Sequence, residues 1–401
     1  MSRKMALVIC EAFYPEDFII NDLVKTWKKN GYNIEVLTRT PSYPFGKVFK
    51  GYKNKVYQKT LYDDITVHRF PVITGYQKSG AIKILNYFSF IFFGTITALF
   101  IGKKYDKVFI YQTGPLTVAL PGVFLKMFYS VKLGIWTQDL WPDTVYAYGF
   151  KKTYFSQLLL NSLVKFVYKR CDKIFVSCYG FQKPLKMLVP KMDIHWVPNW
   201  PMVANNNDTI GPIKLPGSFN FTFTGNVGKV QNLEIVIKAF KEISDSHPDV
   251  FLNIVGDGSN LKALKQLVDK DGINNVNFTG RRPIEEMGSF FEASDVLFLS
   301  LVKSPLYNIM IPSKFPTYLT AHKPIFAIME GEIPNMIKEF KIGFDASPDH
   351  LDQIVEGFRY FLDLSKTERL YLSQNSELLL ESRFSKEKAV NTFEDHFWSM
   401  G

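Results

Sequence analysis

Residues 220–243 read NFTFTGNVGKVQNLEIVIKAFKEI. A short apolar run, Phe221 to Thr224, breaks into Gly225, Asn226, Val227, Gly228 and Lys229. Asn232 then opens a stretch with Leu233, Val236, Ile237, Phe240 and Ile243 at helical spacing. A buried strand, a glycine turn and an amphipathic helix make the opening of a βα unit in a parallel sheet. Glycine lets backbone N–H groups approach a ligand closely, a helix N-terminus carries partial positive charge, and Lys229 adds a full one. The turn therefore reads as a seat for an anion. Taken alone, a plain turn with a solvated lysine is the alternative. The spacing Gly225-x-x-Gly228 departs from G-x-G-x-x-G, and no acid follows at the distance that suits a ribose.

The same alternation runs outward in both directions. In the first half the apolar runs MALVIC (5–10), NIEVLT (33–38), ITVHRF (65–70), KVFIYQ (107–112), KLGIWT (132–137), KIFVSC (173–178) and IHWVP (194–198) are separated by amphipathic segments such as 18–30 and 154–170. Several are continuous rather than alternating, as strands covered on both faces are. Residues 199–218, rich in Asn, Pro and Gly, form a linker, and the pattern then restarts through FLNIVGDG, VNFTG, VLFLSL and PIFAI. The expectation is an α/β chain of two Rossmann-like, doubly wound domains facing a cleft. Residues 1–200 form the first, 201–385 the second, and a helix at 386–401 packs back toward the first.

The chain has 401 residues and a net charge of +10, unevenly spread. Residues 1–200 carry 28 Lys and Arg against 12 Asp and Glu, whereas 201–401 carry 20 against 26. A basic, aromatic-rich first half is drawn to anionic surfaces. No nucleic-acid module is present, which leaves a membrane as the expected surface. Three cysteines, Cys10, Cys171 and Cys178, make no disulfide or metal framework and fit a reducing cytoplasm. The short apolar run near the N-terminus reads as the first strand, not a signal peptide. From Ile84 to Gly102 nineteen residues pass without a charge. A span there would strand residues 1–80 across the bilayer from the strand at 107–112. The helix at 82–101 is instead expected to cover the sheet on one side and dip into the lipid interface on the other, with Lys83, Lys103 and Lys104 at its ends.

Three more stretches carry chemistry. In NIMIPSKFPTYLTAHKP (308–324), Ser313 is placed to cap a helix and Lys314 falls in its first turn, a second anion-friendly helix start. An ordinary capped helix explains that stretch equally well alone; both starts together argue for a diphosphate. In FTGRRPIEEM (278–287), Arg281 and Arg282 form a nucleotide-pocket wall or a solvated pair balanced by Glu285 and Glu286. In WTQDLWPDTVYAYGF (136–150), Gln138 and Asp139 end a strand; a carboxylate there orients or deprotonates an acceptor hydroxyl, or merely caps a turn. Asp269 and Asp271 in VDKDG read as a helix end rather than a metal site, and the six histidines show no ligand spacing.

The order of motifs resembles the retaining glycosyltransferases with the GT-B fold known as group 1 or family four. The branch that builds O-antigens and capsules, with aminosugar transferases of the L-fucosamine type, is the most similar. The matching pieces are FYPEDFIINDL, TRTPSYPFGKVFKGY, YQTGPLTVALPG, TQDLWPD, FTGNVGKVQNLEIVI, IVGDGS, FTGRRP and PSKFPTYLTAHKP, in family order over nearly the whole chain. The resemblance implies a UDP-linked sugar held mainly by the second domain. Its diphosphate would lie on Gly225, Asn226, Lys229, Ser313 and Lys314, with Arg281, Arg282 and Pro283 near the base. Gln138 and Asp139 would stand near the transferred sugar. It also implies no metal or other cofactor, a polyprenyl-diphosphate-linked saccharide acceptor, and a location at the inner face of the cytoplasmic membrane. The chain departs from the family where two glutamates are usual: Ile309 and Thr317 stand there, and Thr317 offers the ribose only a hydroxyl. The alternatives are a UDP-sugar 2-epimerase-like enzyme and a non-catalytic membrane-associated sugar-nucleotide-binding protein.

Overall fold

A computed structural model describes residues 5–147, 150–202 and 211–401. Part of the expected linker (203–210) and two residues of the 136–150 stretch (148 and 149) lie outside the described residues. The chain divides into two compact units: residues 1–198 with 390–401, and residues 199–389. The expected divisions at 200 and 386 thus fall at 198 and 390.

The first unit is built on an eight-stranded sheet in the order β3-β4-β2-β1-β5-β6-β7-β8. Its strands are β1 (Met5–Cys10), β2 (Asn33–Arg39), β3 (Gln58–Tyr62), β4 (Ile65–Phe70), β5 (Lys107–Gln112), β6 (Lys132–Thr137), β7 (Lys173–Val176) and β8 (Ile194–Trp196). All pairings are parallel except β3 against β4. β3 has no counterpart among the sequence-derived strands. It is an edge strand of polar, half-exposed residues, QKTLY, with no apolar run to betray it. From β1 the chain moves outward to β2 and β4, then crosses back to β5 on β1's other side. The topology therefore reverses between β1 and β5, where the two outgoing loops part and open a crevice.

The C-terminal residues complete this unit. Phe393 and Phe397 pack on Trp27 and Phe109 with ring centroids 5.1–6.0 Å apart. Gly134 leaves the room: a Cβ there would stand 2.8 Å from the Phe397 ring. Buried Lys107 donates to the carbonyls of Phe397, Trp398 and Met400, which satisfies the end of the chain.

The Gly80–Ile101 helix has two faces. Asn86, Ser89, Phe90, Gly94, Thr97 and Ala98 are buried. Asn86 donates to the Ile73 carbonyl and Ser89 accepts from the Ile73 N–H. Its other side exposes Ile84, Leu85, Phe88, Phe92, Ile96 and Phe100, the last 82% exposed. By length and composition it is long enough to cross a membrane, yet β4 before it and β5 after it lie in one sheet.

The second unit is a six-stranded, all-parallel sheet in the order β11-β10-β9-β12-β13-β14. Its strands are β9 (Phe219–Thr224), β10 (Val250–Val255), β11 (Val276–Gly280), β12 (Val296–Ser300), β13 (Ile325–Ile328) and β14 (Gly343–Ala346). The opening stretch folds as read: β9 is wholly buried, and the Leu233–Ser244 helix buries Leu233, Val236, Ile237, Phe240 and Ile243. Each such residue contributes about 1.5–3 kcal/mol of burial. Reversal of the strand order falls between β9 and β12, so a second crevice opens just beyond Thr224.

Candidate active site

Residues 225–228 are held by the loop that follows β10. The Gly225 N–H donates to the Val255 carbonyl at 2.9 Å and the Val227 N–H to the Asp257 carbonyl at 2.9 Å. The two backbones approach so closely that a Cβ on Gly256 would stand 1.8 Å from the Gly225 carbonyl oxygen, and one on Gly258 2.4 Å from that of Val227. The glycines of IVGDGS thus let the two loops close on one another. Gly225 itself has φ +125, and Gly225, Asn226 and Lys229 are exposed. One turn of 3-10 helix, Lys229–Gln231, comes before the Leu233–Ser244 helix, whose tip is therefore set back from Gly228.

Lys314 comes to the same place. Its Nζ lies 3.8 Å from the centroid of Phe223, 3.2 Å from Gln231 Oε1 and 3.2 Å from where a Cβ on Gly225 would be. Tyr318, one turn on, fixes that placement: its hydroxyl accepts from the Thr224 N–H at 2.8 Å. These partners of the ammonium are neutral, and burial draws its pKa down to about 7. A half-desolvated cation beside a glycine backbone is an electrostatic gap that an anion closes.

Ser313 is exposed at the N-cap position, but in helical conformation and with no side-chain cap bond, which corrects its reading as a capping residue. The helix after it is short, Lys314–Leu319, so Lys314 itself rather than a helix dipole supplies most of the positive charge. Thr317 is half-buried and its carbonyl accepts from the Thr320 hydroxyl. Arg281, Arg282 and Pro283 follow β11, two strands from β9, and all are exposed. Arg282 meets Glu286 at 3.9 Å and lies over Phe290. Asp271 ends its helix before Gly272 and faces Lys241 at 3.9 Å.

In the first unit a cavity of about 540 Å³ opens at the reversal point. It is lined by the loops after β1 (Glu11, Ala12), β5 (Thr113, Gly114, Pro115) and β6 (Asp139), by Arg39 at the end of β2, and by Lys83, Asn86 and Tyr87 of the Gly80–Ile101 helix. Asp139 accepts from the Gly114 N–H. Gln138 precedes it, half-buried and outside the lining, and its backbone N–H joins the sheet at Gln112.

Glu11 and Asp139 both have raised pKa values because burial disfavours their charge; Arg39 offsets this for Glu11 and the Gly114 N–H for Asp139. Arg39, its side chain 2% exposed, stands 3.8 Å from Glu11 and 3.4 Å from Glu16. Glu16 in turn accepts from the N–H groups of Ser42 and Tyr43 and so fixes the loop that brings Tyr43 to the cavity. Two carboxyls and a buried guanidinium around one cavity suit a polyhydroxylated ligand. The sequence reading missed Glu11 and Arg39, although each stands at the carboxyl end of an expected strand.

Outside the first-unit cavity, Asp193, His195 and His396 gather, the imidazoles stacked 3.7 Å apart and Lys173 on the same carboxylate at 3.1 Å. No local spacing announces a group whose members are two hundred residues apart.

Two doubly wound units define the GT-B class, and solved structures of that architecture superpose on the whole chain. Sucrose-phosphate synthase from Thermosynechococcus elongatus has a TM-score of 0.71 at 12% identity, covering 99% of this chain and 98% of its own. Anabaena HepE, solved in complex with UDP, has a TM-score of 0.70 at 14% identity, covering 99% and 100%. At such identities the likeness carries the fold. Residues 213–378 match the family Glycosyl transferases group 1. The probable glycosyltransferase WbjE of Pseudomonas aeruginosa is 26% identical over 295 residues, 68% of this chain and 72% of that one. WcaI of Escherichia coli, a putative colanic acid biosynthesis glycosyl transferase, is 22% identical over 362 residues, 86% and 88% of the two chains. In these matches the chain is similar to group 1 glycosyltransferases, over residues 213–378 by the family match and over most of its length by the two relatives.

Proposed function

We propose that the protein transfers a sugar from a nucleotide diphosphate sugar, UDP-linked, to a lipid-linked saccharide during surface polysaccharide synthesis, with retention at the anomeric carbon. The observation that carries this reading is Lys314: a cation with neutral partners beside the open backbone of Gly225, inside the segment that matches group 1. In the proposed reaction the bond from the anomeric carbon to the diphosphate oxygen breaks and the acceptor hydroxyl oxygen bonds to that carbon. The hydroxyl proton passes to the departing phosphate. Lys314 and Lys229, with Ser313 and the N–H groups of Asn226 and Gly228, the two in the turn not given to the loop after β10, stabilise the charge left on the diphosphate, so that no metal is required. Thr317, Arg281, Arg282 and Pro283 would meet the nucleoside. Glu11, Asp139 and Arg39 hold the acceptor sugar in the first-unit cavity and orient its hydroxyl.

Support for the acceptor class comes from the Gly80–Ile101 helix, whose exposed apolar row suits the interface of a membrane, on its cytoplasmic face. A thermal-shift screen of nucleotide sugars tests the donor: a true donor at a hundredfold excess over its Kd stabilises by about 2.7 kcal/mol. No shift with any UDP-, GDP- or dTDP-sugar would sink the reading. Sedimentation with phosphatidylglycerol vesicles tests the surface, with Phe88→Ser and Phe92→Ser expected to release the protein.

A further inference from the structure

The Gly80–Ile101 helix is shared between the cavity and the apolar row. Lys83, Asn86 and Tyr87 line the cavity, while Ile84, Leu85 and Phe88, interleaved with them, are exposed. The lysine lies in the first turn, exposed, and its charge reaches Glu11 in the cavity. It therefore stands where the cavity wall meets the apolar surface. A lipid-linked saccharide has the same three zones in the same order: sugar, phosphate linker, hydrocarbon.

We infer that Lys83 recognises the anionic diphosphate linker of the acceptor, with Glu11, Arg39 and Asp139 around its sugar and the Ile84–Leu85–Phe88 surface beside its first isoprene units. This deepens the proposed function and rests on it. Phe92, Ile96 and Phe100 follow along the exposed row, and no charged residue interrupts it before Lys103. Lys83 is thus the single cation of the helix that lies at the cavity, and a cation at the edge of an apolar surface attracts an anion that the surface itself repels.

The test is a binding measurement that needs no donor. Full-length protein is titrated with decyl-diphosphoryl-N-acetylglucosamine and with decyl N-acetylglucosaminide, which has the same sugar and chain but no charge. The expected result is at least tenfold tighter binding of the diphosphate probe. Lys83→Gln should abolish that difference, leaving the neutral probe unchanged, and Lys83→Arg should keep it. Phosphatidylglycerol vesicles form a third arm, because a simple headgroup contact has the same chemistry. If Lys83→Gln weakens vesicle binding as much as binding of the diphosphate probe, the residue serves the membrane and the inference falls. It also falls if the two probes bind alike, or if neither binds. Failure of the transferase reading shows elsewhere, as absent nucleotide-sugar binding by the unaltered protein.

Discussion

The two units put their sites at the same place in the same architecture and build them from opposite materials. In the second, the reversal point at β9 is lined by backbone: glycines, a turn clamped by hydrogen bonds, and one poorly compensated ammonium. In the first, the reversal point at β1 is lined by side chains: two carboxyls, a buried guanidinium and aromatics. Backbone N–H groups fit what every nucleotide shares, a diphosphate. Side chains fit what differs between saccharides, the arrangement of hydroxyls. The comparison teaches that topology fixes where a ligand sits and local composition fixes which kind. It also predicts that damage to one site leaves binding at the other intact.

The largest effect belongs to Gly256→Ala. Its φ of +151 and the 1.8 Å approach to the Gly225 carbonyl mean that a side chain has to push the two loops apart. A cost of about 3 kcal/mol or more in stability is expected, with loss of donor binding, read by denaturant unfolding and nucleotide titration. Gly272→Ala, with nothing near its Cβ, is the control for strain without clash.

Next comes Lys314→Met. Removing a charge-assisted contact weakens donor binding by about 10–100-fold, or ~1.5–3 kcal/mol. The unliganded protein should not lose stability, since a half-desolvated ammonium is replaced by an apolar chain of similar length. A variant that binds donor normally would break the second half of the comparison.

Glu11→Gln and Asp139→Asn should do the reverse. Each is expected to lower kcat/KM for the acceptor by about tenfold, ~1.4 kcal/mol, while the nucleotide Kd stays unchanged. If the nucleotide Kd moves as well, the two sites are not separate in the way their construction suggests.

How much of this was legible beforehand follows the same divide. The parallel strands and the βα turn at 225–228 were readable because continuous apolar runs and glycine turns are local signals. β3 and β14 were not: one is a polar edge strand, and the other, GFDA, is four residues, three half-buried and Ala346 buried, without an apolar run. Lys314 stood out as a lysine after a strand, yet its strength as a candidate comes from Gln231 and Phe223, some ninety residues away in sequence. Arg282, equally prominent in sequence, turned to its own Glu286. Glu11 and Arg39 were passed over because neither forms a motif alone. Only the sheet order, which places the ends of β1, β2, β5 and β6 side by side, makes them a cavity.

One further effect is the most specific to Lys314, and it has two slopes of opposite sign. An unfolded lysine titrates near 10.5, and burial brings this one to about 7 in the folded chain. Between those values the unfolded state holds more proton than the folded state, so this group makes the free protein more stable as pH rises from 7 toward 10. A bound diphosphate restores the charge, so binding takes up a proton over the same interval and donor affinity declines with rising pH, by up to tenfold per unit above 7. Titration calorimetry at pH 8 in two buffers of different ionisation enthalpy should show net proton uptake on binding. In Lys314→Met that uptake and the lysine's share of both slopes should vanish together. A stability slope that persists in the variant, or uptake that does, would assign the titration to another group and remove the electrostatic gap from the argument.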